Sequence, residues 1–512
     1  MAINDQNRPL DIEKTVSDIN VCNANPDGPG ADSPCSPSSV TAFADFKPLP
    51  AENQSSRPYR QARHVYFTVY RRLFFIVFIL NIIGLIVVET RPYHLERYLR
   101  SISSAASANF CLAILARQDY IINALFDLYV LIPKSAPLAL RRRVAKVYEF
   151  GGVHSGAAFC ATLWFLRLGI LLTLAFQDGT LGDNIPGLAL VWVVLLLFVG
   201  IIVFAHPSLR TKQHDIFERT HRFAGWIANA LFWVLVVLAS KALADRGDDP
   251  RSTGQVLVTL PSFWMLTLNT VHTFIPWFRL RKLPATAEPL SNMAVRLHLK
   301  ANIRPFYTIR LSDSPLTEWH SLWVFWCSNA SAVVAYADPH ADSACFPDSN
   351  PINGSTNSVI IAKAGDWTSG VIASPKPYYW TRGLPTRGVL YMSLLFKRVV
   401  VVTTGSGIGP CLNLLGMTPE TRPECRVLWS TPNPREFYGD SIIEEVKRCD
   451  PNAVVWDTKS QGRPDMVELT WKLVMEMDAE AVFCVSNPKV TKKVVYGMES
   501  RGIPAYGPIF DS

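Results

Sequence analysis

The run Val399-Val-Val-Val-Thr-Thr-Gly-Ser-Gly-Ile-Gly-Pro410 sets three glycines between a stretch that reads as a buried strand and one that reads as a helix. After a hydrophobic strand, Gly405, Gly407 and Gly409, with Ser406 and Ile408 between them, let the backbone approach a pyrophosphate. The free N–H groups and dipole of the following helix then meet its charge. Pro410 suits the first helical turn, where its missing N–H costs nothing. This chemistry is dinucleotide binding, with a tight strand-to-helix turn and no ligand as the plainer alternative, and the surroundings must decide.

Those surroundings are of two textures. Six apolar stretches, at roughly 73–90, 109–133, 154–177, 186–206, 221–241 and 256–278, each approach the twenty or so residues that cross about 30 Å of hydrocarbon. The second carries Arg117, Asp119 and Asp127, costly in lipid unless they face the interior or pair. Arg167 stands mid-span in the third, with Asp119 or Asp127 as a candidate partner. Basic loops at Arg141–Lys146 and Arg210–Arg219, against an uncharged-to-acidic one at Gln177–Asp183, orient the N-terminus and everything after Arg279 to the cytosol. On that topology the sequons at Asn53, Asn329 and Asn353 stay cytosolic and unglycosylated.

The chain is 49% hydrophobic and only 18% charged. Its formal charge of +8 lies largely at the edges of the apolar stretches, which argues for a lipid bilayer as partner and against nucleic acid. The 10 cysteines show no ligand spacing, so neither a zinc site nor a disulfide framework is expected. Residues 1–62, rich in Pro, Ser, Asn and Asp, read as a disordered tail, and the late start of the first apolar run speaks against a signal peptide.

Beyond Arg279 short β-rich runs such as Ala294–Leu299, Leu322–Cys327 and Ser358–Ala362 suggest an antiparallel barrel, and from Arg398 strands and helices alternate as in an α/β sheet. The expected fold is a multi-domain membrane protein: a tail over 1–62, a six-helix bundle over 63–282, a β-barrel over 283–396 and an α/β nucleotide-binding domain over 397–512.

In this order of parts, in Gly405-Ser-Gly-Ile-Gly-Pro410, in Gly365-Asp-Trp-Thr-Ser-Gly370 and in the closing Gly507–Ser512, the chain resembles the ferric reductase and NADPH oxidase superfamily, and within it the TmpA-type fungal membrane flavoproteins. The resemblance implies FAD in the barrel and NADPH or NADH on the glycine turn. It places Trp367 and Thr368 where the flavin diphosphate meets a helix, and His320 at the flavin ring. The motif there departs from the family's His-Pro-Phe-Thr, reading His320-Ser-Leu-Trp323, so Trp323 is the alternative aromatic surface. Val485-Ser-Asn-Pro488 replaces the family's Cys-Gly-Pro, which implies slow or absent hydride transfer. The family's haem ligands reduce here to His154 and His221, since Arg167, Val234 and Leu235 occupy the outer positions. The resemblance therefore allows one inner haem and no outer one, with His206 and His272 as alternative ligands.

Two functional readings follow, with a transporter disfavoured for want of an internal repeat. In the first an integral, plasma-membrane oxidoreductase passes electrons from NAD(P)H through FAD to a cytosolic or membrane acceptor. In the second a degenerate reductase senses redox state, with the resemblance implying a part in fungal asexual development (conidiation). NADPH and NADH are left undecided, Arg435 being a phosphate ligand or a solvated loop residue.

Overall fold

The computed structural model describes residues 48–52, 59, 62–92, 94–180, 185–246, 252–327 and 356–509. The sequons at 53–55, 329–331 and 353–355, nearly all of the N-terminal tail and the last three residues of the closing motif lie outside them.

Helices fill the chain from Val69 to Phe278. Four are long and apolar enough to cross a membrane: Val69–Glu89, Gly151–Gln177 with its lead-in from Leu138, Ile185–Ala205 and the long helix from His214. The count rises to at most 5 if Leu95–Leu115 and Asp119–Val130, bent by 68° at their junction, form one broken span. Six were expected. The second expected span breaks at Ala116–Gln118, where the chain bends to bring Asp119 onto the Arg310 guanidinium. The sixth divides at Leu260 into Thr253–Thr259 and Pro261–Phe278, because Pro261 lacks the N–H that would carry a helix through it. The helices meet through stacked aromatics, Phe165 lying edge-on to Phe198 (5.2 Å) and Phe232 (5.0 Å). They also meet through Gly152 and Gly156, whose missing side chains admit the backbone of Tyr70 and Phe74.

Among the described residues thirteen strands follow. β1 (Arg281–Ser291), β2 (Ala294–Leu299), β3 (Tyr307–Leu311), β4 (His320–Trp323), β5 (Phe325–Cys327), β6 (Thr356–Ala362), β7 (Tyr378–Thr381) and β8 (Thr386–Arg387) pair antiparallel. They form a five-stranded sheet, β5-β6-β2-β1-β7, and a three-stranded one, β4-β3-β8, linked by a bridge between Ser312 and Trp380. A barrel was expected, and two sheets are what these strands make. From Arg398 the texture changes. β9 (Arg398–Thr404), β10 (Glu424–Thr431), β11 (Val454–Asp457), β12 (Ala481–Val485) and β13 (Ala505–Tyr506) form a parallel sheet in the order β11-β10-β9-β12-β13, with helices between successive strands. Val399 to Val402 are all fully buried, as continuous apolar strands covered on both faces must be.

The segment from Asp119 to Phe150 ties the helices to the sheets. Arg141, itself buried, forks onto the Glu480 carboxylate at 2.8 and 3.0 Å and donates to the Leu395 carbonyl. Asp119 takes the Arg310 fork at 2.8 and 3.0 Å, and Asp127 pairs with Arg387 at 2.7 Å and accepts from the Tyr391 hydroxyl. Neither aspartate reaches Arg167. Its partner is Glu89 at 2.7 Å, with the Tyr98 ring under the guanidinium, because Glu89 ends the first span at the level where Arg167 emerges.

Candidate functional site

The glycine turn closes on the neighbouring strand. β9 ends at Thr404, Gly405 turns with φ +52°, and a single helical turn over Gly405–Gly407 leads into the helix Ile408–Leu415. A side chain on Gly407 would lie 2.4 Å from the Val485 carbonyl oxygen and 2.5 Å from the Thr403 hydroxyl, so this glycine is fixed by packing against β12. On Gly409 the same atom would meet Ile360 at an ordinary 3.6 Å, which brings the antiparallel sheet to the edge of the turn. The Thr403 hydroxyl donates to the Val485 carbonyl (2.8 Å), Thr404 hydrogen-bonds Ser486, and Trp429 Nε1 donates to the Gly405 carbonyl (2.9 Å).

Strand order explains where a ligand would sit. β9 is flanked by β10 on one side and β12 on the other, so connections leave it in opposite directions and a crevice opens beyond the carboxyl ends of β9 and β12. Gly405, Ser406, Gly407, Ile408, Gly409 and Pro410 line one side of that crevice and Val485-Ser-Asn-Pro488 the other. No side chain caps the Ile408–Leu415 helix, whose first N–H, of Ile408, turns back on the Gly405 carbonyl, whereas Asn487 caps the helix Pro488–Glu499 through Val490 N (3.0 Å). Arg435 is exposed and paired at 3.4 Å with Asp440.

His320 and Trp367, far apart in sequence, stack face to face with ring centres 3.9 Å apart and planes 16° from parallel. Trp367 Nε1 is buried with no acceptor in reach, and the imidazole Nε2 lies 3.4 Å from Glu318 without a hydrogen bond. Burial pulls His320 below its ordinary pKa, with Glu318 opposing. Thr368 accepts from the N–H groups of Ala364 (2.8 Å) and Gly365 (2.9 Å) and so holds the turn before its helix. Trp323 is packed down on Gly388, where no side chain fits beneath the indole, so the stacking surface is His320–Trp367. A buried, unused N–H beside an aromatic platform fits a heteroaromatic ring with acceptor atoms such as a flavin, on the outer face of the stack.

His154 and His221 come together in the helices, ring centres 6.1 Å apart. Nδ1 of His154 donates to the Ala113 carbonyl (2.8 Å) and Nδ1 of His221 is buried without a partner. The two rings are set edge to face, with planes 61° apart. Among the described residues no group of three or more His, Cys, Asp or Glu could hold a metal ion. The cavity against Cys160 and Trp164, about 30 Å³, is of a size for a water and not for a macrocycle. His206 caps the short helix Pro207–Lys212, and His272 bonds its own helix at Leu268, so neither joins the pair.

Residues 389–512 match the family described as "Adenylate-forming reductase 03009, C-terminal domain". The whole chain is similar to adenylate-forming reductase 03009 of Coprinopsis cinerea, 41% identical over 464 residues, covering 90% of this chain and 42% of that protein. It is similar in the same way to adenylate-forming reductase 06235 of that organism, 39% identical over 465 residues, with coverage of 90% and 42%. The chain therefore spans about two fifths of the length of these relatives. Among solved structures, flavohemoglobin from Malassezia yamatoensis is 13% identical over 80% of this chain and 98% of its own, at a TM-score of 0.36, too low to carry an argument. These relatives correct the expected kinship. A chain 41% identical over nine tenths of its length to a protein named adenylate-forming reductase is not placed among ferric reductases or TmpA-type proteins, whose shared glycine turn and order of parts are common to nucleotide-binding architectures.

Proposed function

We propose that the chain is a nicotinamide-nucleotide-dependent flavoprotein oxidoreductase, seated on a membrane by its apolar helices and passing electrons from NADPH or NADH through FAD to a cytosolic or membrane acceptor. The observation that carries this reading is the glycine turn at the point where strand order reverses. The relatives' name includes reduction, and the region they share with this chain includes the C-terminal domain that holds this turn. We therefore assign to it the reducing half of whatever the longer relatives do.

In this reading the backbone of the turn Gly405–Gly409 holds the nicotinamide cofactor's pyrophosphate, and Gly407 keeps the turn pressed on β12. Ile360 forms the wall facing the antiparallel sheet. His320, Trp367 and Thr368 would hold a flavin, which would supply the two-electron chemistry that links a reduced nicotinamide to the acceptor. Outward-facing Ile79, Leu80, Ile83, Leu196 and Val203 support the membrane seat. The test is an absorption spectrum of detergent-purified protein before and after NADPH or NADH. Bleaching of a bound flavin band is expected, and a colourless protein indifferent to both nucleotides would sink the proposal.

A second reading rests on the closed His320–Trp367 stack and on Val485-Ser-Asn-Pro488 in the crevice: a nucleotide-binding redox sensor with little turnover. Tight nucleotide binding without NADPH consumption would favour it.

A further inference from the structure

A buried indole holds the glycine turn from the side away from β12. Trp429, on β10, is fully buried, and its Nε1 donates to the Gly405 carbonyl at 2.9 Å. A buried indole N–H without an acceptor is costly, so this one bond ties the ring and the turn to each other. Trp429 lies opposite Thr403 in the β9–β10 register, and Tyr438 stands edge-on to it with ring centres 5.3 Å apart. The Tyr438 hydroxyl is 3.6 Å from where a side chain on Gly405 would begin. The turn is therefore gripped twice, at Gly407 by the Val485 carbonyl of β12 and at Gly405 by an aromatic pair from β10 and the helix Pro434–Cys449 that follows it.

The second grip has a directional consequence that the first lacks. The Gly405 carbonyl accepts from Trp429 Nε1 and from Ile408 N, so its direction is fixed by two donors. A trans peptide sets its C=O and N–H on opposite sides of one plane. With the Gly405 carbonyl turned in to the indole, the N–H of Ser406 is turned out. Ser406 is the exposed residue of the turn, whereas Ile408 and Gly409 are buried. Gly405 permits the plane to stand this way because its φ of +52° is one that L side chains rarely adopt. A hydrogen bond made inside the sheet thus decides where an amide donor points outside it.

We propose that Trp429 is a positioning residue for nucleotide binding, its indole N–H locking the Gly405–Ser406 peptide so that Ser406 N–H meets a pyrophosphate oxygen. This rests on the reading of the glycine turn as the nucleotide site, and it adds to that site a residue that touches no ligand and stands 24 positions along the chain from Gly405. A donor fixed before the anion arrives keeps the strength of a charge-assisted bond, whereas one that must be ordered on binding loses part of it. The effect belongs to the pyrophosphate alone. NADPH, NADH and ADP-ribose all carry that group, and all three should feel the indole alike.

The test compares the parent with Trp429→Phe, as full chains in detergent micelles. Phenylalanine keeps an aromatic ring on β10 and removes the N–H. Calorimetric titration with NADPH, NADH and ADP-ribose should give dissociation constants about tenfold higher in the variant for all three, as the weakening of one hydrogen bond to a charged group requires. Hydrogen–deuterium exchange adds a readout that lost packing alone does not move: at saturating NADPH the variant should protect one amide fewer than the parent in the peptide that begins at Gly405. Should Trp429→Phe fail to fold, Gly405→Ala strains the same peptide plane and should weaken all three ligands alike, while Gly405→Asn, which tolerates a positive φ, should recover part of the binding. Equal affinities in parent and variant overturn the proposal, as does a loss confined to NADPH. A parent that binds none of the three overturns the reading of the turn itself, and the role of Trp429 with it.

Discussion

Between Arg398 and Tyr506 a single large apolar side chain, Met475, is exposed, whereas the helices from Val69 to Phe278 turn Ile79, Leu80, Ile83, Leu196 and Phe274 outward. Buried polar atoms without a partner occur in both, at Asn269 in the helices and at Asn413 Nδ2 and Trp471 Nε1 around the parallel sheet. One region keeps its large apolar side chains inside, and the other turns many of them outward.

The largest effect is expected where the two regions are joined. Arg141 is buried and grips Glu480 through two bonds, so Arg141→Ala leaves a half-buried carboxylate unpaired and should cost about 3–5 kcal/mol. Differential scanning calorimetry should then show the sheet and the helices melting separately. A single unchanged transition would mean that the two regions are coupled elsewhere.

The next effect lies inside the glycine turn. Gly407→Ala forces a methyl group to 2.4 Å from a backbone oxygen, and overpacking of that kind costs about 1–3 kcal/mol, with loss of nucleotide binding as the turn lifts off β12. Gly409→Ala meets only a 3.6 Å contact and should change stability by less than about 0.5 kcal/mol. Equal effects at both positions, measured by urea unfolding and NADPH titration, would show that the turn is not held by β12. Smaller again is Asn487→Ala, which removes the cap on Val490 N beside the same crevice and should cost about 1 kcal/mol.

How far the sequence foretold these sites depends on how local their causes are. The glycine turn is legible because strand, turn and helix are consecutive, and Val399–Val402 announces a strand buried on both faces. The role of Gly407 is not, since its reason is the Val485 carbonyl on another strand. His320 and Trp367 could be named singly, but only the folding of β4 against the helix Asp366–Ala373 makes them a stack. Hydropathy over 109–133 suggested one span with costly charges at Arg117, Asp119 and Asp127, and the break between Leu115 and Asp119 was not foreseen. Asp119 and Asp127 looked like partners for Arg167 because all three share apolar stretches, yet they serve Arg310 and Arg387 from the other side of the junction. Trp429 drew no attention at all, since nothing near it in sequence reveals the Gly405 carbonyl that it holds.

The smallest effect concerns the His320–Trp367 stack, which sits in the soluble half but faces acids of a long helix. Burial lowers the pKa of His320, and Glu318, Glu218 and Asp215 oppose that in part. A lowered pKa means that the unfolded chain binds the proton more readily, so stability rises with pH and is complete above the unfolded value of about 6.5. It is lost as pH falls from there through the folded value. The melting temperature should therefore drop between pH 7.5 and pH 5.5, and His320→Asn should make that drop smaller. If the variant drops as far as the parent, the acid sensitivity belongs to other groups, and the stack is as well satisfied as the sheet beside it.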